Sequence, residues 1–119
     1  MSCDFIACHV TDLVEYSGVC ALVNGQQVAL FYLPMRNPKI YAIDNFDPIG
    51  AANVLSRGII GELRGELVVA SPLYKQHFSL TTGRCLEDET VAVRVWPAEI
   101  SNGLVRVGHP QQSLIESAA

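Results

Sequence analysis

Asp44-Asn45-Phe46-Asp47-Pro48, Ser56-Arg57-Gly58, Val68-Val69-Ala70-Ser71-Pro72-Leu73-Tyr74 and Phe78-Ser79-Leu80-Thr81-Thr82-Gly83-Arg84 mark one stretch, residues 44–84, whose reading decides the fold. Asp47 before Pro48 and Asn45 after Asp44 are turn chemistry, because short polar side chains bond nearby backbone. A second loop follows Ala70. Between the two loops, residues 59–63 and 66–70 read as a hairpin around Arg64-Gly65. After the second loop, residues 76–80 and 85–87 flank a turn centred on Thr82-Gly83.

Outward from this stretch the pattern is the same. Residues 19–23 and 27–32 read as strands joined by Asn24-Gly25, a pair that tolerates positive φ in a tight turn. A loop from Pro34 to Pro38 leads to a short strand at 39–43. Residues 90–96 alternate, with Val91, Val93 and Val95 on one face and Arg94 on the other. Glu99-Ile100 and residues 104–107 flank a second Asn-Gly turn, Asn102-Gly103. Near the start, residues 11–15 read as one capped turn ended by Gly18, with Thr11 or Asp12 as the cap and Glu15 in the first turn. Short strands at turn-sized spacing, without a long segment of 3.6 period, predict an all-β sandwich or barrel built from hairpins. The β domain is expected over residues 1–108, with a mobile tail over 109–119.

The 119 residues suit one domain, and a 50% hydrophobic, 17% charged composition can bury a core. The net charge of −4 argues against a nucleic-acid surface, and the eight Lys and Arg form no run suited to an anionic membrane. No apolar run reaches the length of a membrane span, and the first residues carry no basic, then apolar, export pattern. The expectation is a soluble cytoplasmic protein. Cys3, Cys8, Cys20 and Cys85 form no C-x-x-C pair, so free thiols, mostly buried, are expected. No glycine-rich loop links a strand to a helix, so dinucleotide binding is not expected.

The layout of residues 44–84 resembles a Rieske domain, in which two loops at the tip of a small β-fold hold the iron and a hairpin follows the second loop. In that family the first loop carries Cys-x-His and the second Cys-x-x-His. The matching positions here read Asn45-x-Asp47 and Ser71-x-x-Tyr74. The resemblance covers residues from about 10 to 108. Thr-Gly-x-Cys-x-Glu-Asp-Glu (Thr82 to Glu89), Asn45 to Pro48, Val54 to Gly58, Val69 to Leu73 and Gly18 to Leu22 are closer still to the small subunit of the assimilatory NAD(P)H-dependent nitrite reductase, a Rieske-like family that lacks the cluster ligands. That resemblance implies a clusterless subunit of an oxidoreductase complex that reduces nitrite to ammonium. It also implies a large-subunit partner carrying FAD, a [4Fe-4S] cluster and sirohaem.

The residues give their own account of the lost site. An iron–sulfur cluster needs thiolates, with imidazoles allowed on one iron of the Rieske type. Asn45, Asp47, Ser71 and Tyr74 offer oxygen and amide groups, with one carboxylate among four, a weak site even for a hard cation. Side-chain hydrogen bonds tying the loops together are the expected replacement. No catalytic residue and no metal ligand is expected. A Cys85 nucleophile with His77 as base is disfavoured, because pairing about Thr82-Gly83 sets Leu80 opposite Cys85 and puts Cys85 and His77 on opposite faces. Cys85 is expected to be buried and His77 an exposed partner of Asp88 or Glu87. The run Glu87-Asp88-Glu89 reads as a solvated rim.

Phe46, Pro48, Ile49, Pro72, Leu73 and Tyr74, with Arg57 and Lys75 nearby, have the composition of an interface core with a charged rim, and form the expected contact with the large subunit. The competing readings are a Rieske-type ferredoxin of an oxygenase or reductase, a binder of a small ligand in the former cluster pocket, and an interaction module unrelated to nitrite.

Overall fold

The computed structural model describes residues 3–110. Its regular elements are twelve strands: β1 Phe5–His9, β2 Gly18–Val23, β3 Gln26–Tyr32, β4 Ile40–Asp44, β5 Phe46–Asp47, β6 Ala52–Asn53, β7 Ile59–Leu63, β8 Glu66–Ala70, β9 His77–Ser79, β10 Val95–Trp96, β11 Ala98–Ser101 and β12 Leu104–Val107. Two single 3-10 turns, Val10–Asp12 and Leu55–Arg57, are the helical content of the described residues. No helix among them is long and apolar enough to cross a membrane.

The central sheet runs β10-β4-β3-β2, with each neighbour antiparallel. Its middle strand reads Val28-Ala29-Leu30-Phe31, a continuous apolar run with every residue buried. Such a run needs cover on both faces of the sheet, and both are covered. Ala29, Phe31 and Ile43 pack with Leu67, Val69 and Phe78 of the β7-β8-β9 sheet. Val28, Leu30 and Ala42 pack with Trp96, Val105 and Val107, on the side of the β1-β12-β11 sheet.

Three two-residue turns set the hairpin registers. Asn24-Gly25, Arg64-Gly65 and Asn102-Gly103 all have positive φ at both residues, the geometry whose twist matches paired antiparallel strands. They pair Val23 with Gln26, Leu63 with Glu66 and Ser101 with Leu104.

Several sequence expectations shift. The turn expected at 11–15 lies at Val10–Asp12. Asp12 closes it by accepting the backbone N–H of His9 at 3.1 Å, so the carboxylate works from inside the turn and not as its cap. The strand expected over 90–96 is regular only at Val95–Trp96, because Arg84 and Ala92 form a lone bridge ahead of it. Val91, Val93 and Val95 still pack on one core and Trp96 on the other. Cys85 pairs with Phe78, not Leu80. The Ser79 hydroxyl accepts the N–H groups of Thr81 and Thr82, which widens the connection and turns Leu80 into the core. Of the four cysteines, Cys85 alone is buried; Cys20 is exposed, and Cys3 and Cys8 are half-buried on the outer strands and their approaches. Strand β1 has no counterpart in the sequence reading. Of the tail expected at 109–119, the His109 ring lies edge-on to Phe5 at 5.0 Å, and residues 111–119 lie outside the described residues.

Candidate functional site: two loops closed by their own hydrogen bonds

The first loop leaves β4 at Asp44, makes the small β5–β6 hairpin and ends in the 3-10 turn Leu55–Arg57. The second joins β8 to β9 through residues 71–76. It closes tightly: the Ser71 N–H donates to the Gln76 carbonyl at 2.9 Å, and the Ser71 carbonyl accepts the N–H of Lys75 at 3.0 Å, a residue that takes a positive φ of 61°. The β7–β8 hairpin begins after the first loop and ends at the second, so both loops lie at one end of that sheet.

Three of the four positions matched to cluster ligands are buried and bonded. Asp47 is 0% exposed, Ser71 1% and Asn45 2%. The Ser71 hydroxyl donates to Asp47 Oδ2 at 2.5 Å, directly across the two loops. The other oxygen, Oδ1, accepts the backbone N–H groups of Ile49 at 2.8 Å and Gly50 at 3.1 Å. Asn45 Oδ1 accepts the Ser56 N–H at 2.7 Å, while its Nδ2 donates to Gln27 Oε1 at 3.0 Å. Gly50 completes the closure: a Cβ there would stand 2.5 Å from Leu73 Cδ1, so the first loop lies against the second. Tyr74 is the exception. It is 66% exposed, and its side chain joins none of these hydrogen bonds, because the turn at Lys75 leaves it outside the loop.

This donor set does not suit a [2Fe-2S] cluster. Asn45, Asp47 and Ser71 supply no thiolate and no imidazole, and their polar atoms are already bonded, Asp47 and Ser71 to each other and Asn45 to Ser56 and Gln27. No group of three or more His, Cys, Asp or Glu among the described residues could hold a metal ion.

The apolar residues expected at a contact surface divide between outside and inside. Phe46, Pro48, Pro72, Leu73 and Tyr74 are exposed, as is Arg57, whereas Ile49 is half-buried and packs on the core beside Leu55. Nine large hydrophobic residues are exposed among the described residues, and Phe46, Leu73, Tyr74 and the neighbouring Ile59 are four of them. The loop end thus presents a group of exposed apolar side chains, while the other five lie elsewhere in the chain.

Away from the loops, His77 and Glu87 meet as expected. His77 donates its N–H to Glu87 Oε1 at 2.7 Å, and its Nδ1 lies 2.6 Å from Oε2. The buried Cys85 thiol points to the same carboxylate at 3.7 Å, and burial pushes that thiol up. Glu87 is pushed up by desolvation, but the His77 N–H and ring outweigh this and leave its carboxyl below the ordinary 4.5. A depressed carboxyl stabilises the fold above its unfolded value, and that contribution is lost as pH falls through the folded value. Glu87→Gln should therefore be less stable than the parent at neutral pH. The difference should close below about pH 4.5 in acid titrations followed by circular dichroism.

Paired loops on a β-sandwich, without thiolate or imidazole at their centre, define a Rieske-type domain that has lost its cluster chemistry. The Rieske-like [2Fe-2S] domain family matches residues 5–108. The chain is 47% identical over 100 residues to the NADH nitrite reductase small subunit of Salmonella typhimurium, covering 84% of this chain and 92% of that protein. The solution structure of the nitrite reductase [NAD(P)H] small subunit from Erwinia carotovora is 42% identical with a TM-score of 0.75, covering 95% of this chain and 86% of that one. A segment of the Klebsiella oxytoca nitrite reductase [NAD(P)H] large subunit is 41% identical over 104 residues, 87% of this chain and 11% of that polypeptide. The ferredoxin of carbazole 1,9a-dioxygenase from Nocardioides aromaticivorans shares the fold, with 19% identity and a TM-score of 0.71 over 87% of this chain and 94% of that one. The chain belongs to the nitrite reductase small-subunit branch of the Rieske-like family.

Proposed function

We propose that the chain is the small subunit of a cytoplasmic NAD(P)H-dependent nitrite reductase, which reduces nitrite to ammonium. It docks on a large subunit that carries FAD, a [4Fe-4S] cluster and sirohaem, and holds no redox centre itself. Its part is structural or regulatory: stabilising the large subunit or fixing a domain arrangement for electron transfer. The observation that carries this reading is the Asp47–Ser71 bond at the centre of the two loops. A chain whose cluster position is filled by its own hydrogen bonds acts by contact. The Klebsiella oxytoca large subunit, with a segment like this chain inside it, supports one copy of this domain per large chain.

The docking surface in this reading is the loop end, with Phe46, Leu73 and Tyr74 as its apolar centre. Burying aromatic and aliphatic anchors at an interface centre is worth more than any rim contact. The large subunit expressed alone should lose most NADH-dependent nitrite reduction, and adding this chain should restore it. The Leu73→Asp, Tyr74→Asp double variant should bind the large subunit about tenfold more weakly or worse. Both positions are exposed, so the variant should stay folded. Full activity without the chain, or unchanged co-purification of the double variant, would remove the proposal.

A further inference from the structure

The loop end carries a second, differently charged feature. Arg57 and Lys75 both line a groove of about 330 Å3, together with Gly58, Ile59, Ala70 and Pro72. Both cations are exposed, and no side-chain hydrogen bond or ion pair to either occurs among the described residues. By contrast Arg36 is paired with Glu62 and Arg94 with Asp44. Within the two loops, residues 45–58 and 71–76, the sole carboxylate is Asp47, which is buried and committed to Ser71, Ile49 and Gly50. In a chain of net charge −4 the two loops thus present two unpaired cations and no exposed carboxylate; Glu87, at the foot of the second loop, is already paired with His77.

The apolar side of the groove is equally open. Ile59 is 77% exposed at the start of β7, and β7 is an edge strand bonded to β8 alone. An apolar side chain against Ile59 and Pro72 would be flanked by two like charges. Those charges repel one another unless an anion is supplied from outside.

We infer that this groove receives an acidic segment of the large subunit: an apolar side chain lying on Ile59 and Pro72, with neighbouring carboxylates paired to Arg57 and Lys75. The inference rests on the docking reading above and adds the chemistry of what is docked. Charges at the edge of an apolar contact act mainly through encounter, so the effect should appear in association rate and salt sensitivity.

The test is association of the full chain with purified large subunit, followed by surface kinetics between about 50 and 500 mM salt. Arg57→Glu, Lys75→Glu should slow association about tenfold at the low-salt end and flatten the salt dependence. Neither side chain has a partner to lose, so thermal unfolding should be unchanged. If the charge-reversed chain associates at the parental rate while Leu73→Asp, Tyr74→Asp is impaired, the acidic segment is wrong and the docking face stands. If both associate normally, both ideas fall. Faster association of the charge-reversed chain would mean a basic partner, and would also overturn the inference.

Discussion

Asp47→Ala is expected to cost about 3 kcal/mol of unfolding free energy, because it strips three donors of their acceptor at once. The carboxylate takes the Ser71 hydroxyl at 2.5 Å and the N–H groups of Ile49 and Gly50 at 2.8 and 3.1 Å, at a position with no solvent exposure. Water cannot replace it without opening the loops. Each buried donor left unpaired costs about 1–3 kcal/mol, and partial relaxation of the β5–β6 hairpin holds the sum toward the lower end. For a domain of this size that corresponds to a melting temperature lower by roughly 10–15 °C. Asp47→Asn keeps an acceptor for the two N–H groups and should cost about 1 kcal/mol. Ser71→Ala leaves a carboxylate oxygen buried without its donor and should cost about 2 kcal/mol. The double variant should be less destabilised than the two singles added together, as befits partners in one bond. Additive losses would show that Asp47 and Ser71 do not act as a pair. The same variant should also weaken association, since Gly50 lies against Leu73 and the apolar face is set by the loops beneath it.

Much of this was legible in the chain itself, and the reason differs by element. The Asn-Gly and Arg-Gly turns state their own register, because positive φ at two successive positions is rare outside such hairpins. The buried run Val28–Phe31 declares a strand covered on both faces. At the loop end, the residue types at positions 47 and 71 were enough to expect a hydrogen bond between the loops, whereas Asn45 bonds within its own loop and to β3. Tyr74 could not be separated from them in sequence, because its exposure follows from the backbone turn at Lys75. Strand β1 was hidden by its own irregularity: pairing with β12 shifts between Ile6 and Cys8, and that bulge breaks the alternation a reader would look for. The β5–β6 hairpin has two residues in each strand, too few for any period to show. Gln27 gave no local sign of its bond to Asn45, eighteen residues away.

The longest-range bonds were the least visible, and one of them carries the second large effect. Asp44→Ala is expected to lose about 2–3 kcal/mol, through contacts fifty or more residues apart in sequence. Asp44 holds Arg94 in a two-pronged ion pair, Nε to Oδ2 at 2.9 Å and the terminal nitrogen to Oδ1 at 3.1 Å. The same Oδ1 accepts the indole N–H of Trp96 at 2.9 Å, and Oδ2 accepts the Arg94 backbone N–H at 3.1 Å. Arg94 also reaches Gln26 Oε1 and lies 5.6 Å from the Trp96 ring centre. Removing the carboxylate leaves the N–H of a buried tryptophan and a half-covered guanidinium without their acceptor. The guanidinium can still turn to water, which keeps the loss below that of a fully buried pair. Asp44→Asn should recover the tryptophan bond and lose the ionic one, so it should fall between parent and alanine. Urea unfolding of the three proteins gives that order directly. A loss under about 1 kcal/mol for the alanine variant would mean that β10 is held to β4 by backbone pairing alone. Because Asp44 ends β4 where the first loop begins, the same variant should loosen the loop end and slow docking. Arg57→Glu, Lys75→Glu should slow docking with no change in unfolding, so the two effects can be told apart on one pair of instruments.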